Sequence, residues 1–230
     1  MAGLLVELLN KKKIAVISGG GFAQFRKSFV NELESQTANL KFLSLFPTCG
    51  AAYYRYENGG WGCAYQELLS ENEKQKITNA FNVVFAALDY RHPQALYGAP
   101  QIEDRESQIS FSPLGQAAPV AMKESWHAKN EPLRARMRDE LERCLPEFEV
   151  RCGGLTTIDI TRKGIDKAYG IKKMEEYLGV SRKEMLFIGD KLEPGGNDYP
   201  VKVAAGVDCI AVNSPEMTKQ VICSMLTTKL

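Results

Sequence analysis

Residues 189–198 read GDKLEPGGND and follow the apolar run MLFI at 185–188. An acid at the end of a short apolar run, opening a glycine-bearing loop, stands where open parallel sheets place their ligands. Mg2+ takes hard carboxylate oxygens and fills its remaining positions with waters and a substrate phosphate. Asp190 supplies such an oxygen. Asp198 either orients waters around the cation or caps the helix that follows. At the other end of the chain, AVISGG at 15–20 delivers Ser18 where a second apolar run stops, with backbone N–H groups beyond it that can bind an oxyanion. A plain tight turn would use the same residues. Lys167, in KGIDK at 163–167, opens a helix from which its ammonium reaches a phosphate or stays in solvent. His92 and His127 lie among prolines and charges and read as surface groups.

Those side chains need elements to hold them. Residues 3–10 have helical periodicity, KIAVIS at 13–18 is a β-branched run ending in three glycines, and 22–33 is helical again. From 42 to 66 the pattern turns to two alternating strands about the turn ENGG. A polar-faced helix at 70–88 leads to a looser stretch, a strand at 108–113 and a charged helix at 129–145. FEVRCGG and TTIDIT form a further hairpin. From Lys163 onward helix and strand alternate: helix to 179, strand at 185–190, helix at 197–206, strand at 208–212 and a closing helix from Pro215. The economical architecture is an α/β core, residues 1–69 and 161–230, split around an inserted α+β domain at 70–160.

Composition removes several function classes. With 230 residues, 44% of them hydrophobic, the chain buries an ordinary core. A net charge of +1 and short, isolated basic runs give nucleic-acid binding no electrostatic support. No apolar run approaches membrane-spanning length, and the opening MAGLLVELLN reads as a helix rather than a signal peptide. Six cysteines without C-x-x-C spacing argue against structural zinc and a disulfide framework, so reduced thiols in a cytoplasmic protein are expected.

Ser18, Lys167 and Asp190, in that order and with strands ahead of the first and last, resemble motifs two, three and four of the haloacid dehalogenase superfamily of phosphotransferases. The chain is more similar still to the eukaryotic-type phosphomannomutase branch and to related bacterial sugar phosphatases with a type IIB cap. FPTCG at 46–50, SPLG at 112–115, GGLTTID at 153–159, KGIDK and GDKLEPGGND fall in that branch's order. The resemblance implies a Rossmann-like parallel core sheet with the cap inserted. It also implies Mg2+ at Asp190 and Asp198, phosphate contacts from Ser18 and Lys167, and sugar or distal-phosphate contacts from Arg105, Thr157 and Asp159. Where the mutases carry further phosphate-binding arginines, this chain has Gln116 and Lys123, which loses one bidentate fork and weakens another. The family's nucleophile is the first aspartate of a D-x-D-G-T loop on a strand ahead of the ISGG segment, and no such motif occurs in the 230 residues. The expectation is therefore Mg2+-dependent phosphotransfer on a sugar phosphate, mutase or phosphatase, in a chain that lacks the nucleophile strand and is inactive as given. The alternatives are a non-catalytic descendant that binds sugar phosphates or a partner chain, and an inherited scaffold that binds nothing. Two copies could pair through the cap.

Overall fold

The computed structural model describes residues 1–36, 39–93, 96–98, 100–203 and 206–227. The chain divides into two compact units, 1–66 with 165–230, and 67–164.

In the first unit, α1 (Ala2–Leu9) precedes β1 (Ile14–Ile17), and a helical run continues through α2 (Phe22–Phe25), a wider π-type turn at Arg26–Val30 and α3 (Asn31–Glu34). β2 (Leu43–Phe46), β3 (Ala52–Glu57) and β4 (Gly60–Gln66) follow, so the 42–66 stretch holds three strands where alternation suggested two. β2 runs parallel to β1, with Val16 opposite Leu45, while β3 and β4 continue the sheet antiparallel. Leu43 and Leu45 turn one face of β2 toward Leu9, Phe25, Val30 and Leu33, while Phe46 joins a cluster on the other. That strand shows the two-residue period directly.

The inserted unit contains α4 (Glu71–Ala87), β5 (Ile102–Asp104), β6 (Ile109–Phe111), α5 (Val120–Cys144), β7 (Phe148–Gly153) and β8 (Thr157–Arg162). Its antiparallel sheet has the order β5-β6-β8-β7. Ser70 and Glu73 close a capping box at the start of α4, and Glu73 also takes a two-point contact from Arg162 at 2.8 and 2.7 Å. Ile109, Phe111, Phe148, Val150, Ile158 and Ile160 bury one sheet face against Ile77, Phe81 and Val84 of α4 and Met137 and Leu141 of α5. α5 starts nine residues before the expected 129 and accommodates Pro132 in its interior.

The chain then returns to the first unit through α6 (Lys167–Leu178), β9 (Leu186–Gly189), α7 (Tyr199–Val203), β10 (Asp208–Ala211) and α8 (Pro215–Thr227). The helix expected at 197–206 is represented by α7; positions 204 and 205 lie outside the described residues. β9 and β10 pair parallel as a separate two-stranded sheet. Ile171 and Met174 of α6 pack against Phe46 and Ile17 of the first sheet and against Phe187 of β9, so one helix covers both pieces. β1 and β9 each have a single ladder partner among the described residues. The fold is thus α/β, with parallel pairs in the core unit and an α+β insertion.

Candidate active site

The core site is assembled from strand and helix ends. Ser18 leaves β1 with its N–H donating to Phe46 O at 3.3 Å, and its hydroxyl accepts from the Gly20 N–H at 3.2 Å. The segment after β2 holds this turn from the side: the Cys49 N–H donates to Ser18 O at 2.8 Å and the Thr48 N–H to Gly20 O at 3.0 Å. Ser18 therefore sits in a turn stapled to its neighbour, half-buried, with its hydroxyl hydrogen available for a ligand oxygen.

Lys167 is the first residue of α6, whose N-cap Asp166 accepts from the Tyr169 N–H at 2.8 Å. Gly170 lets that end of the helix approach closely. A Cβ there would lie 2.3 Å from Ile17 Cδ1, and one on Gly50, at φ +87°, would lie 2.4 Å from the Gly170 Cα. One turn of α6 beyond Lys167 thus stands against the residue before Ser18. Without Gly170 the helix would stand off.

Asp198 is 1% exposed, and both its oxygens are used. Oδ1 takes the Lys167 ammonium, and Oδ2 takes the N–H groups of Asp190 and Lys191 at 3.0 and 3.1 Å. Its carboxylate latches α6 to the loop after β9, and it is its backbone carbonyl that accepts from the Val201 N–H of α7, at 3.0 Å. Gly189 leaves room for this carboxylate, since a Cβ there would meet Asp198 Oδ2 at 2.6 Å. Asp190 differs. Its carboxylate is exposed and has no protein partner among the described residues. A divalent cation fits that free oxygen pair, but no group of three or more His, Cys, Asp or Glu among the described residues could hold a metal by itself. Asp190 would hold such an ion jointly with phosphate and water, the coordination habit of Mg2+.

The inserted unit supplies a different surface. Opposite its apolar face, the register sets Glu103, Ser110, Asp159 and Arg151 in one row across all four strands. Thr157 stands opposite Gly153, and Thr161 opposite Glu149, on either side of that row. Gln108, Ser110 and Ser112 of the central strand are fully buried although polar. Ser110 donates to Asp159, and Arg105, 6% exposed in its side chain, donates from Nε to Glu103 at 2.8 Å with Nη1 3.9 Å from Asp159. Burial pushes the Asp159 carboxyl upward, against the Arg105 charge and the Ser110 hydrogen bond. Thr157 Oγ1 donates to Gly153 O at 2.5 Å. Gln116 and Lys123 lie outside these rows, and the Lys123 ammonium donates to Gln116 O at 2.8 Å.

The structure therefore brings Ser18, Lys167, Asp190 and Asp198 into one unit, and Arg105, Thr157 and Asp159 onto one sheet face of the other. Sequence reasoning passed over Glu103, Ser110 and Arg151. The two-residue alternation in FEVRC and ISFS was the signal for them, because it puts Glu149 and Arg151, and then Ser110 and Ser112, on the face away from the apolar residues. Arg134 was also missed. It is buried in α5, pairs with Glu131 at 2.8 Å and donates to Gly154 O at 3.3 Å, fixing the β7–β8 hairpin.

Among the described residues, no helix is long and apolar enough to cross a membrane. The chain is similar to the curated phosphomannomutase of Encephalitozoon cuniculi, 33% identical over 227 residues, 95% of this chain and 82% of that protein. The Saccharomyces cerevisiae phosphomannomutase is 28% identical over 224 residues, covering 95% and 83%. The Spinacia oleracea phosphomannomutase is 26% identical over 168 residues, and the match covers 71% of this chain but only 64% of that one. In fold it resembles an N-terminally truncated IMP-nucleotidase of Plasmodium falciparum, with TM-score 0.67 and 16% identity, covering 99% of this chain and 65% of that one. It also resembles the sucrose-phosphatase of Synechocystis, with TM-score 0.52 and 15% identity, covering 96% and 81%. The family model for eukaryotic phosphomannomutase matches residues 1–228, and with the ordered motifs around Ser18, Lys167 and Asp190 this places the chain in the eukaryotic phosphomannomutase family of the haloacid dehalogenase superfamily.

Proposed function

We propose that this chain is the body of a Mg2+-assisted phosphotransferase acting on sugar phosphates. The observation that carries the reading is the Lys167–Asp198 latch. It ties an ammonium to the loop that carries the exposed Asp190 carboxylate, and the close approach of Gly170 to Ile17 brings the same helix against the strand that ends in Ser18; together these are groups that can hold a phosphate and its cation. Ser18 donates its hydroxyl hydrogen to a phosphate oxygen, and Lys167 shares its ammonium between Asp198 and the phosphate. A bound Mg2+ at Asp190 would neutralise charge on the transferring group. The sheet face bearing Arg105, Thr157 and Asp159 offers cations for a phosphate and acceptors for hydroxyls, the mixture a sugar phosphate presents in reverse.

The attacking carboxylate, in this reading, arrives on a further extended strand. Two features support it. The 230 residues contain no D-x-D-G-T segment, and β1 and β9 are apolar strands whose exposure is unusual for parallel-sheet elements. Ile14, Val16 and Ile17 are only half-buried, Ala15 is exposed and Leu186 is 44% exposed, whereas such strands are ordinarily covered on both faces. With the strand in place, its first aspartate attacks phosphorus and the sugar oxygen departs with the bonding pair, taking a proton from the second aspartate of D-x-D-G-T. Water or a sugar hydroxyl then attacks the acyl phosphate at phosphorus, returning its proton to that second aspartate and releasing the first as a carboxylate. With Gln116 where a guanidinium would grip a second phosphate, water is favoured and the reaction is hydrolysis more than isomerisation.

The test compares the 230-residue chain with the same chain carrying an N-terminal strand that ends in D-x-D-G-T, both with Mg2+ and mannose 1-phosphate. The first should show no turnover and the second should release phosphate. Turnover by the first that disappears in Asp159→Asn would move the nucleophile to the inserted unit and refute the reading. Sugar-phosphate binding by both with turnover by neither would favour a non-catalytic binding protein.

A further inference from the structure

Resting on the reading of the Ser18 turn as a phosphate contact, we infer that the left-handed stretch Thr48–Gly50 is a positioning clamp for that turn. It ties back the Ser18 and Gly20 carbonyls and so keeps both oxygens off the bound anion. Three successive residues have positive φ, +49° at Thr48, +58° at Cys49 and +87° at Gly50. Glycine takes such angles freely, but for a β-branched threonine they are an outlier. Thr48 carries a second cost. It is 2% exposed, and its hydroxyl is buried without a partner among the described residues. Neither feature stabilises the chain, and strained backbone of this kind persists where the surrounding structure over-determines it.

The amides of the segment supply the reason. Successive residues in turn conformations aim their N–H groups to one side, as in the concavities that bind anions. Here the two N–H groups meet two carbonyls of another segment: Thr48 donates to Gly20 O at 3.0 Å and Cys49 to Ser18 O at 2.8 Å. Those oxygens belong to the turn whose hydroxyl faces the ligand, and either would repel a phosphate oxygen if it swung toward it. The clamp is itself braced. The Tyr65 hydroxyl donates to Gly50 O, the Gly50 N–H donates to Pro47 O at 3.0 Å, and the Ala51 N–H to Thr48 O at 3.1 Å. Gly50 also lies against Gly170 with no room for a side chain, so the helix that carries Lys167 backs the clamp. A plain turn accounts for the reversal between β2 and β3. It does not account for two adjacent amides committed to the Ser18 turn.

The experiment titrates the full chain with inorganic phosphate in the presence of Mg2+, following binding by calorimetry. Thr48→Pro cannot reach φ +49° and has no N–H for Gly20 O, so it should weaken phosphate roughly tenfold or more. Thr48→Gly keeps the angle and the N–H and should stay within about twofold of wild type. Amide exchange in wild type gives a second measurement that needs no variant. If opening the clamp abolishes binding, phosphate at about ten times its Kd should slow exchange at Thr48 and Cys49 roughly tenfold, and leave Asn58 and Gly59 in the β3–β4 turn unchanged. This measurement decides should the proline variant fail to fold. A folded Thr48→Pro chain with wild-type affinity, a Thr48→Gly chain as weak as the proline variant, or exchange at Thr48 and Cys49 that ignores phosphate each overturns the clamp and leaves the Ser18 reading standing. A wild-type chain with no saturable phosphate binding overturns both.

Discussion

Lys167→Met tests the latch on which the core site depends. The substitution keeps the aliphatic stem and removes the ammonium, leaving the Asp198 carboxylate, 1% exposed, with only the two N–H groups of Asp190 and Lys191. Removing one partner of a buried pair costs roughly 3–5 kcal/mol, because the remaining charge keeps its desolvation and loses its counter-ion. For a chain of this size each kcal/mol moves the midpoint by about 2–4 °C, so a drop of roughly 6–20 °C is expected. Because the chain has two compact units, calorimetry is the assay, and the change belongs to the transition of the unit built from 1–66 and 165–230. Asp198→Asn alone should cost a similar amount, by stranding the ammonium. The double variant Lys167→Met with Asp198→Asn should recover about 1–3 kcal/mol relative to the sum of the two, since no charge is then left unpaired. Asp190→Asn, which alters an exposed carboxylate with no protein partner among the described residues, is the control and should stay within about 0.5 kcal/mol without metal. A Lys167→Met midpoint within 2 °C of wild type, or a double variant no better than additive, would refute the argument. It would mean the ammonium is not committed to Asp198 and is free for a ligand without any exchange.

Gly170→Ala should destabilise the core unit by about 1–3 kcal/mol, because its methyl would lie 2.3 Å from Ile17 Cδ1 and 3.2 Å from Cys49 O; an unchanged urea midpoint would show that α6 can slide without cost. In the inserted unit the Arg162 hydrogen bond holds the Glu73 carboxyl down at about 2 from an ordinary 4.5. A carboxyl depressed in the folded state adds stability above its unfolded value, and that stability is lost as pH falls from about 4.5 toward 2. Glu73→Gln keeps a residue able to complete the capping box and removes only the ion pair, so it should cost about 0.5–1 kcal/mol at neutral pH after screening of these part-exposed groups. The gap between the two proteins should close between pH 4.5 and 2, and a gap that persists at pH 2 would count against the assignment.

What could be read from the sequence was local. The strand ahead of Ser18, the loop after β9 and the β7–β8 hairpin declare themselves through β-branched runs, glycines and two-residue alternation, all of which act within a few positions. Asp198 shows the limit. Its neighbours in sequence allow a metal ligand or a helix cap, but the partner that uses Oδ1 is Lys167, 31 positions away, and no periodicity reports that distance. α5 was read nine residues short because 120–128 lacks an apolar stripe: the buried residues of the helix, Arg134, Met137 and Leu141, all lie beyond it, and Val120 and Met122 are exposed. β5, three residues long, is too brief to carry a pattern, and exists because Ile102 and Asp104 find Phe111 and Ile109 across the ladder.

The same argument explains why stability and site cannot be separated in the core unit. A two-stranded parallel sheet is marginal by itself, since parallel ladders are slightly weaker per residue and two strands bury little apolar surface. β9 and β10 persist because Phe187 packs with Ile171 and Met174, and those two residues lie on the helix whose first residue is Lys167. α6 therefore does two jobs through one face and one end. Its apolar face joins the sheet bearing Ser18 to the sheet bearing Asp190, and its N-terminus sends the ammonium to Asp198, which in turn fixes the Asp190 and Lys191 N–H groups. A change in the α6 face, such as Met174→Ala, would loosen the contact between the sheets and shift the position of Lys167 relative to Ser18 together. The geometry of the proposed phosphate site follows from the packing of one helix.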